Sequence, residues 1–386
     1  MSETDAPKTR VLMGVNGILA YDGRVQRAAR TLGEWTPVIL MGRASETRCE
    51  GLPCMVREVH SPRLRGPGII RALCFVLAFL WQAMKAKPSV IHAHEVQMLI
   101  PGWIASRIAS AKLVYDAHEL FVPDDNGFRF FGHRMCYYAE RLFVRRADLV
   151  IAANDARAAI MQAHYSLPTR PTVIRNIPAS PPVPDNGKLQ ALELPPRNGT
   201  IRLLYQGAMN WERDLHLIVR TLRRLGDQYE LLMVGGGPHL NALKQLADNI
   251  GVVSRVTFLG RVPNSMVSQI TRQCSIGVVS YSFESLNQRY CAPNKVYEYA
   301  QAGVPMVATG QEGLRELVAD TGIGAILERG GTDDETLDNY ANAIRYVVQN
   351  REQCRLHIPP FLAQNDWIVE KAKLTNCVRE LCHTGR

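Results

Sequence analysis

One stretch of the sequence places a lysine and a glutamate at a spacing that suits nucleotide binding. It runs from Tyr290 to Pro305 and reads YCAPNKVYEYAQAGVP. Pro293 suits the first turn of a helix, where free N–H groups favour an anion and Lys295 adds a full charge. Glu298 follows three residues later, on the same helix face. The pattern predicts a lysine on phosphate and a carboxylate on ribose hydroxyls; the alternative is an exposed Lys–Glu pair.

A second candidate for anion binding is Arg213, in the segment IRLLYQGAMNWERDL. The strand-like pattern ends at Gly207, a loop follows, and a helical pattern begins near Glu212. We therefore predict that Arg213 lies in the first turn of a helix, where an arginine can bridge two phosphate oxygens. Cations are more stable at the other end of a helix, so this position indicates a nearby anion. The alternative is an exposed surface arginine.

Glycines and histidines supply two weaker signals. Gly235 to Gly237 follow a strand pattern and precede a helical one, which allows close approach of a ligand but also suits a plain tight turn. His94 and His118 each end a strand pattern, in SVIHAHE and KLVYDAHEL. Strand ends are the edge of a parallel sheet at which ligands bind. A lone histidine there is more often structural, and the glutamate after each histidine shares its neighbourhood.

The elements that must position these residues alternate along the chain. Short apolar runs such as VLMGVN, PVILMG and KLVYDA show little polar alternation, which is typical of strands buried on both faces of a parallel sheet. Helical patterns separate them, and the same alternation returns after residue 200. This predicts an α/β fold of two Rossmann-like domains, each a mostly parallel sheet with helices on both faces. Facing strand ends would then border a ligand cleft.

The chain length and a proline-rich segment set the predicted domain limits. The 386 residues exceed one ordinary core, and residues 178–196 hold six of the 22 prolines. We predict an N-terminal domain over 1–178, a linker over 179–199, a second domain over 200–345 and C-terminal helices over 346–386 that return to the first domain. The nine cysteines include no CxxC pair and no metal-ligand spacing, which favours a reducing cytoplasm.

The net charge of +9 makes phosphate-bearing partners attractive, but no nucleic-acid recognition motif is present. No secretory signal is evident, and the apolar stretch 69–84 is too short to span a bilayer. Residues 61–87 and 128–146 are rich in arginine and lysine, with many aromatic residues in the second. They suit peripheral docking on an anionic membrane at the cytoplasmic side; the alternative is ordinary packing helices with snorkelling arginines.

These segments resemble family 4 of the retaining glycosyltransferases, in the subset whose donor-site helix reads P-N-K-x-x-E-Y. The chain has PNKVYEY followed by AGVPMVA, YQGAMNWERD for the diphosphate-binding motif, and ELLMVGGGP and VTFLGRV for later elements. VNGILAYDGRVQRAA is similar to the family's first strand, loop and helix. The sequence differs where the family's first donor-site glutamate falls at Tyr290, and Glu284 lies six residues too early to replace it. Asp214 stands where a glycine follows the basic residue.

The resemblance implies a GT-B fold and assigns roles to individual residues. It implies catalytic roles for His118 near the anomeric centre and for Arg213 and Lys295 on the diphosphate. It implies the following donor-binding residues: Gly17, Arg213, Gly235, Gly236, Arg261, Val262, Asn294, Lys295 and Glu298. Among them Arg261 and Val262, after Gly260, would border the base. Asp22 and Arg24 would face the acceptor; the alternative for both is a helix N-cap with a local ion pair.

The implied reaction is retaining transfer of a sugar from a UDP- or GDP-sugar to a saccharide or lipid-linked acceptor, in surface polysaccharide or glycolipid assembly. No DxD-type pair stands at a strand end, and Asp124-Asp125 is read as a turn, so we expect no metal and no other cofactor. The rival functions are a nucleotide-sugar epimerase on the same fold and a non-catalytic nucleotide-sugar-binding partner of another transferase. A dehydrogenase is disfavoured because the first strand lacks a GxGxxG turn.

Overall fold

The computed structural model describes residues 10–44, 51–59, 68–124, 127–128, 131–179, 199–262 and 264–383. The chain divides into two compact units, Met1–Asn176 with Trp367–Arg386, and Ile177–Asp366. Each unit is built on one parallel sheet with helices packed on both faces, which confirms the predicted α/β fold class. The predicted linker lies almost entirely outside the described residues.

The sheet of the first unit has seven parallel strands in the order β3-β2-β1-β4-β5-β6-β7. Their bounds are Val11–Ile18 (β1), Val38–Arg43 (β2), Met55–Val59 (β3), Val90–His94 (β4), Lys112–Ala117 (β5), Leu149–Ala152 (β6) and Thr172–Val173 (β7). The central strands are almost wholly buried because helices cover both faces, which explains their unbroken apolar character. The carboxyl ends of all seven parallel strands lie at one edge of the sheet. Strand β4 carries His92 and His94 near this edge, and β5 carries Asp116.

The helices of the first unit are Gly23–Gly33 (α1), Gly68–Ala86 (α2), Val96–Ala109 (α3), Phe131–Phe143 (α4) and Asp155–Tyr165 (α5). The connections through α2, α3 and α4 all step in one direction along the sheet, so right-handed crossovers put them on one face. Helix α3 contacts both α2 and α4. Gly14 of β1 has no room for a Cβ, which would lie 2.5 Å from Phe79 of α2 and 2.8 Å from Met98 of α3.

The second unit has six parallel strands in the order β10-β9-β8-β11-β12-β13. They are Ile201–Ala208 (β8), Tyr229–Gly236 (β9), Val256–Gly260 (β10), Ile276–Val279 (β11), Met306–Thr309 (β12) and Gly324–Leu327 (β13). The helices are Leu215–Thr221 (α6), Leu240–Asn249 (α7), Asn264–Arg272 (α8), Leu286–Arg289 (α9), Asn294–Gln301 (α10), Glu312–Leu314 (α11), Asp333–Gln349 (α12) and Arg351–Gln364 (α13). Separate apolar clusters fill the two faces of the sheet.

The C-terminal segment returns to the first unit later than we predicted. Helix α13 belongs to the second unit because Phe361 packs against Tyr297 of α10, with ring centroids 6.0 Å apart. The last helix, Trp367–His383 (α14), packs on α1 instead. Buried Glu370 of α14 accepts hydrogen bonds from the backbone N–H of Arg175 and from its side-chain Nε. The boundary therefore lies at residue 367 rather than 346.

Candidate functional site

Lys295 lies in the first turn of α10 at the carboxyl end of the second sheet. Pro293 is the N-cap, with an extended backbone, and so lies immediately before the first turn in which we predicted it. The Lys295 ammonium donates to the Tyr205 hydroxyl at 3.2 Å and lies 4.4 Å from the centre of the Tyr205 ring. Asn294, which precedes it, has a buried side-chain oxygen that accepts no hydrogen bond from the described residues.

Arg213 also lies at this edge of the sheet, but in a different secondary-structure element from the one we predicted. It ends a short 3-10 helix, Trp211–Arg213, and α6 begins only after Asp214. Asp214 has φ of +45°, a left-handed conformation that glycine adopts most easily. This explains why a glycine suits this position in the diphosphate-binding motif that the segment resembles. The Arg213 guanidinium stacks 4.0 Å from the centre of the Tyr281 ring.

The two cations are held by aromatic faces instead of by carboxylates. Within the described ranges neither Arg213 nor Lys295 forms an ion pair, and the buried Nε of Arg213 has no hydrogen-bond partner. Lys295 also lies 5.5 Å from the centre of the Tyr281 ring. Burial lowers the pKa of Lys295 well below its ordinary value, and the Arg213 charge lowers it further, while Glu298 opposes both. An anion beside both cations would relieve this repulsion.

Glu298 lies on α10 and is oriented by a chain of side-chain hydrogen bonds. Its carboxylate accepts from the Gln206 amide nitrogen, and the Gln206 amide oxygen accepts from the Thr271 hydroxyl at 3.0 Å. Gln206 is buried near the end of β8, so the carboxylate is fixed at the strand end. This arrangement suits a carboxylate that orients ribose hydroxyls.

The glycines near this edge are required by the packing of the chain itself. A Cβ at Gly207, which has φ of +128°, would lie 2.8 Å from Cε of Lys295. A Cβ at Gly235 would lie 2.0 Å from the carbonyl oxygen of Gly207, so the glycines let β8 and β9 end close together. Gly236 has more room, since its Cβ would lie 3.7 Å from Cγ of Arg261. Arg261 is exposed after β10, and Val262 is half-buried against the apolar cluster below it.

The first unit gathers a second group of charged residues at the carboxyl end of its sheet. Asp116, at the end of β5, binds the Arg24 guanidinium through both carboxylate oxygens, with a shortest distance of 2.7 Å. Arg24 also donates to the carbonyl of Ile174 at 3.0 Å, and its side chain is 7% exposed. Arg24 is therefore held within the fold, in a buried ion pair that the acceptor-side prediction did not include.

His118 lies at the centre of this group. Its Nε2 is 3.2 Å from Nδ1 of His94 and 3.6 Å from Asp116, and its Nδ1 is 3.7 Å from Glu95. Burial alone would lower the pKa of His118, but the carboxylates of Asp116 and Glu95 outweigh it and raise the pKa to about 9. The two carboxylates therefore favour the imidazolium form of His118 at neutral pH. Its carbonyl oxygen accepts a hydrogen bond from Arg157 at 2.7 Å.

His94 behaves differently from His118. Burial lowers its pKa, and it stacks on the buried ring of His92 at 4.1 Å between centroids. His92, His94 and Asp116 could bring three ligand atoms within 4.8 Å of one another. Arg24 already binds both oxygens of that carboxylate, so a metal ion would have to compete with a guanidinium. The same spacing holds for Asp22, Glu95 and His118, which are half-buried.

The remaining predicted residues have simpler surroundings. The Asp22 carboxylate caps α1 by accepting from the Val25 N–H at 3.0 Å, the alternative that we kept open. A Cβ on Gly17 would meet only the Val15 side chain, at 3.5 Å, so the fold does not itself require a glycine there. Glu284 is exposed, and Tyr290 is half-buried at the end of α9.

The structure thus brings the predicted residues together in two groups, one in each unit. Lys295, Arg213, Glu298 and the glycines meet at the carboxyl end of the second sheet. His118, Asp22 and Arg24 meet at that of the first, and Gly17 lies near the carboxyl end of β1. Sequence reasoning missed four side chains that hold these groups in place: Tyr205, Gln206, Tyr281 and Asp116. Their positions at strand ends were the available signal, and Gln206 and Asp116 were polar residues within otherwise apolar runs.

Comparison with known families finds a match in each half of the chain. Residues 27–177 match the family model described as "Glycosyltransferase Family 4", and residues 200–350 match "Glycosyl transferases group 1". The chain belongs to the family 4 glycosyltransferases. The two matched regions cover most of both sheets and contain every residue of the second-unit group.

Relatives with assigned activities align with shorter or longer parts of the chain. The GDP-mannose-dependent alpha-(1-6)-phosphatidylinositol monomannoside mannosyltransferase of Mycobacterium tuberculosis is 27% identical over 140 residues, which are 34% of each protein. The chain thus spans about a third of the length of that relative. The 2-deoxystreptamine glucosyltransferase of Streptomyces kanamyceticus is 22% identical over 364 residues, covering 85% of this chain and 92% of that protein.

Solved structures share the fold. The Anabaena protein HepE, in a crystal structure with UDP and glucose, superposes with a TM-score of 0.71 at 16% identity, over 97% of this chain and all of that one. At this identity the likeness establishes the GT-B fold of the glycosyltransferase. Of the helices that the structure describes in this chain, none combines the length and the apolar character that a bilayer crossing needs.

Proposed function

We propose that this family 4 glycosyltransferase moves a sugar from a UDP- or GDP-sugar to a hydroxyl of a saccharide or lipid-linked acceptor, with retention at the anomeric carbon. One observation carries the proposal: Arg213 and Lys295 lie together at a sheet edge against tyrosine rings, and neither forms an ion pair with a carboxylate of the described residues. Two desolvated cations in this arrangement favour a ligand with two adjacent negative charges, and a diphosphate has them.

The proposed chemistry needs the same two cations in the transition state. The acceptor oxygen bonds to the anomeric carbon as the bond from that carbon to the diphosphate oxygen breaks, and the acceptor proton passes to the departing phosphate. Charge then grows on the diphosphate, and Arg213 and Lys295 stabilise it. We assign this work to the cations and the N-terminal end of α10, with no metal and no other cofactor. Glu298 orients the ribose of the donor.

On the first unit we propose that His118 contacts the donor sugar. As an imidazolium it donates hydrogen bonds to a sugar hydroxyl or a phosphate oxygen. Relatives named as a mannosyltransferase and a glucosyltransferase support a hexosyl donor. A relative in Streptococcus pneumoniae named alpha-monoglucosyldiacylglycerol synthase supports an acceptor in glycolipid or surface polysaccharide assembly.

A thermal-shift panel tests the donor site. The wild-type protein is heated with UDP, GDP, ADP, CMP or NAD, each with EDTA and again with magnesium. A nucleotide at a hundred times its dissociation constant adds about 2.7 kcal/mol of stability. We expect one nucleoside diphosphate to raise the melting temperature equally with EDTA and with magnesium. A shift that requires magnesium would contradict the metal-free site, and a response to NAD alone would contradict the donor site as a whole.

Two lysine variants localise the effect. Lys295→Ala should abolish the nucleotide-dependent shift and lower sugar transfer by about 100-fold, as expected when one stabilising charge is lost from a transition state. Lys244→Ala is the matched control, since Lys244 is an exposed helical lysine of the same unit that lies over the Phe258 ring. An unchanged shift in the Lys295 variant would contradict the assignment. Conversion of the nucleotide sugar without any acceptor would favour the epimerase instead.

A further inference from the structure

The first unit exposes an unusual concentration of apolar side chains on one face. Sixteen large apolar side chains are exposed among the described residues, and ten of these lie on the three neighbouring helices α2, α3 and α4. Exposed apolar residues are ordinary when scattered, but a contiguous group of this kind marks an interaction surface. We call the exposed side chains of these three helices the apolar-basic face.

Helix α2 carries a complete apolar stripe on its outer side. Leu73, Leu77, Trp81 and Met84 are each at least 50% exposed and follow one another at intervals of three or four residues. That spacing aligns them along one side of a helix. Phe79 and its neighbours on the other side are buried against the sheet. The helix is therefore apolar on both sides, which packing within the unit does not explain.

Helix α4 repeats the pattern on the other side of α3. Phe131, Met135, Tyr138 and Leu142 are exposed and follow the same spacing, with Phe131 at 77% and Leu142 at 65%. Helix α3 contacts both α2 and α4, so the two stripes belong to one face of the unit. Ile108 of α3 is also exposed on that helix.

The charges on this face are of one sign. Arg71, Lys85, Arg107, Arg134 and Arg141 are exposed on the three helices. The one acidic residue among the described residues of these helices is Glu140, which is buried and accepts hydrogen bonds from the hydroxyls of Tyr115 and Tyr165. The carboxylate therefore faces the interior and offsets none of the exposed positive charge.

Two of the cations lie over exposed aromatic rings. Lys85 is 5.1 Å from the centre of the Trp81 ring, and Arg134 is 5.7 Å from that of Tyr138. Tryptophan and tyrosine with adjacent basic side chains are typical of the interface between lipid headgroups and acyl chains, where each ring has one apolar side and one wet side. The face thus combines the two attractions of peripheral membrane binding, apolar area and positive charge.

We propose that the apolar-basic face docks the protein on an anionic lipid bilayer, an interaction that goes beyond sugar transfer and does not depend on it. A second copy of the chain fits less well, since a symmetric contact would place the arginines of one copy against those of the other. A bilayer supplies both complements at once: acyl chains for the two stripes and phosphate headgroups for the cations.

Vesicle flotation tests the proposal. The wild-type protein is mixed with vesicles of phosphatidylcholine alone or of phosphatidylcholine and phosphatidylglycerol in equal amounts. We expect it to float with the anionic vesicles and much less with the neutral ones. The double variant Leu77→Glu/Leu142→Glu should bind the anionic vesicles at least about tenfold more weakly, because it places charge where apolar contact was lost. Leu356→Glu is the matched control, since Leu356 is 70% exposed on α13 of the other unit.

A second pair of variants separates charge from apolar contact. Arg71→Gln/Arg134→Gln should weaken binding to anionic vesicles by about fivefold for each arginine removed, whereas Arg272→Gln, an exposed arginine of α8, should not. Equal binding to neutral and anionic vesicles, or binding unaffected by the glutamate pair, would overturn the proposal. So would a dimer in light scattering that the glutamate pair dissociates. The nucleotide thermal shift is measured on every variant and should remain unchanged, so failure of docking stays distinguishable from failure of the donor site.

Discussion

At the carboxyl end of the first sheet Arg24 meets a carboxylate, whereas at the same end of the second sheet Arg213 and Lys295 lie against tyrosine rings. The Arg24–Asp116 pair is 2.7 Å apart and both side chains are under a tenth exposed. Arg213 is 4.0 Å from the Tyr281 ring and Lys295 is 4.4 Å from the Tyr205 ring. The first cation is paired with a carboxylate within the fold, whereas neither of the other two forms an ion pair with any of the described residues.

The difference teaches how the same residue type serves stability in one place and binding in another. A buried ion pair with both oxygens engaged joins β5 to α1, and loss of the guanidinium leaves the Asp116 carboxylate with only the longer contacts to His94 and His118. An aromatic ring attracts a cation and holds it in position, but it carries no net charge and therefore does not neutralise the cation. Burial and the Arg213 charge lower the pKa of Lys295, and an anion beside both cations would offset that repulsion.

Breaking the buried pair should have the largest effect. Arg24→Met leaves Asp116 buried without its guanidinium, so the free energy of unfolding should fall by about 3–5 kcal/mol in urea titration. Asp116→Leu added to Arg24→Met should recover part of that loss, because it removes a buried carboxylate that has lost its main partner, while His118 loses the contact to Asp116. Arg220→Met is the control, since its partner Asp333 is 71% exposed and the pair should contribute little. Equal destabilisation by both arginine variants would contradict the comparison.

The pH dependence of stability should sharpen the comparison next. His118 has a folded-state pKa of about 9 against an ordinary 6.5, so between these values the folded chain holds a proton that the unfolded chain has lost. Its stabilising contribution is complete below pH 6.5 and declines as pH rises toward 9, by up to about 1.4 kcal/mol per pH unit.

Urea titrations across this range provide the measurement. His118→Gln should flatten the decline, whereas His357→Gln, in the second unit beside Gln353, should leave it as in the wild type. A wild-type protein whose stability stays constant from pH 6.5 to 9 would show that Asp116 and Glu95 do not hold His118 protonated.

The smallest effect is expected at Lys295, and it has the opposite sign to that of Arg24. The folded-state pKa of Lys295 is depressed, so at neutral pH its proton binds more tightly in the unfolded chain and the charged lysine destabilises the fold. Lys295→Met should therefore stabilise the protein without nucleotide, by about 1 kcal/mol. Melting temperatures provide the measurement. Without nucleotide the variant should melt at a higher temperature than the wild type, and the nucleoside diphosphate should no longer raise the melting temperature of the variant. A loss of stability without ligand would mean that Lys295 serves the fold.

Much of the architecture was predictable because local patterns carry it. The apolar runs and the helical periods between them predicted two parallel sheets, and the structure confirms both. The end of the second domain was not predictable, because the sequence of α13 suits packing on either unit. Only the contact between Phe361 and Tyr297 assigns this helix to the second unit. The sequence predicts Arg213 in the first turn of an α-helix, whereas in the structure Arg213 precedes α6. Nothing local in the sequence shows that Asp214 adopts a left-handed conformation and delays the start of the helix.

The candidate site shows the same limit. The sequence placed Lys295, Glu298, Arg213 and His118 at strand and helix ends, and the structure brings the first three to one sheet edge. Arg24 and Arg213 look alike in sequence, since each follows a strand and stands close to an acidic residue. Only the folded chain shows that Arg24 pairs with Asp116, 92 residues away, and that Arg213 pairs with no carboxylate in the part of the chain that the structure describes.

The sequence by itself determined the secondary structure, the parallel character of both sheets and the edge at which polar residues collect, because these depend on periodicities of a few residues. Tertiary structure decided which charges are neutralised, which helices remain apolar on their outer side and where the last helix returns. Those outcomes depend on contacts between residues far apart in the chain, and a charge or an apolar stripe acquires its role only from what lies opposite it.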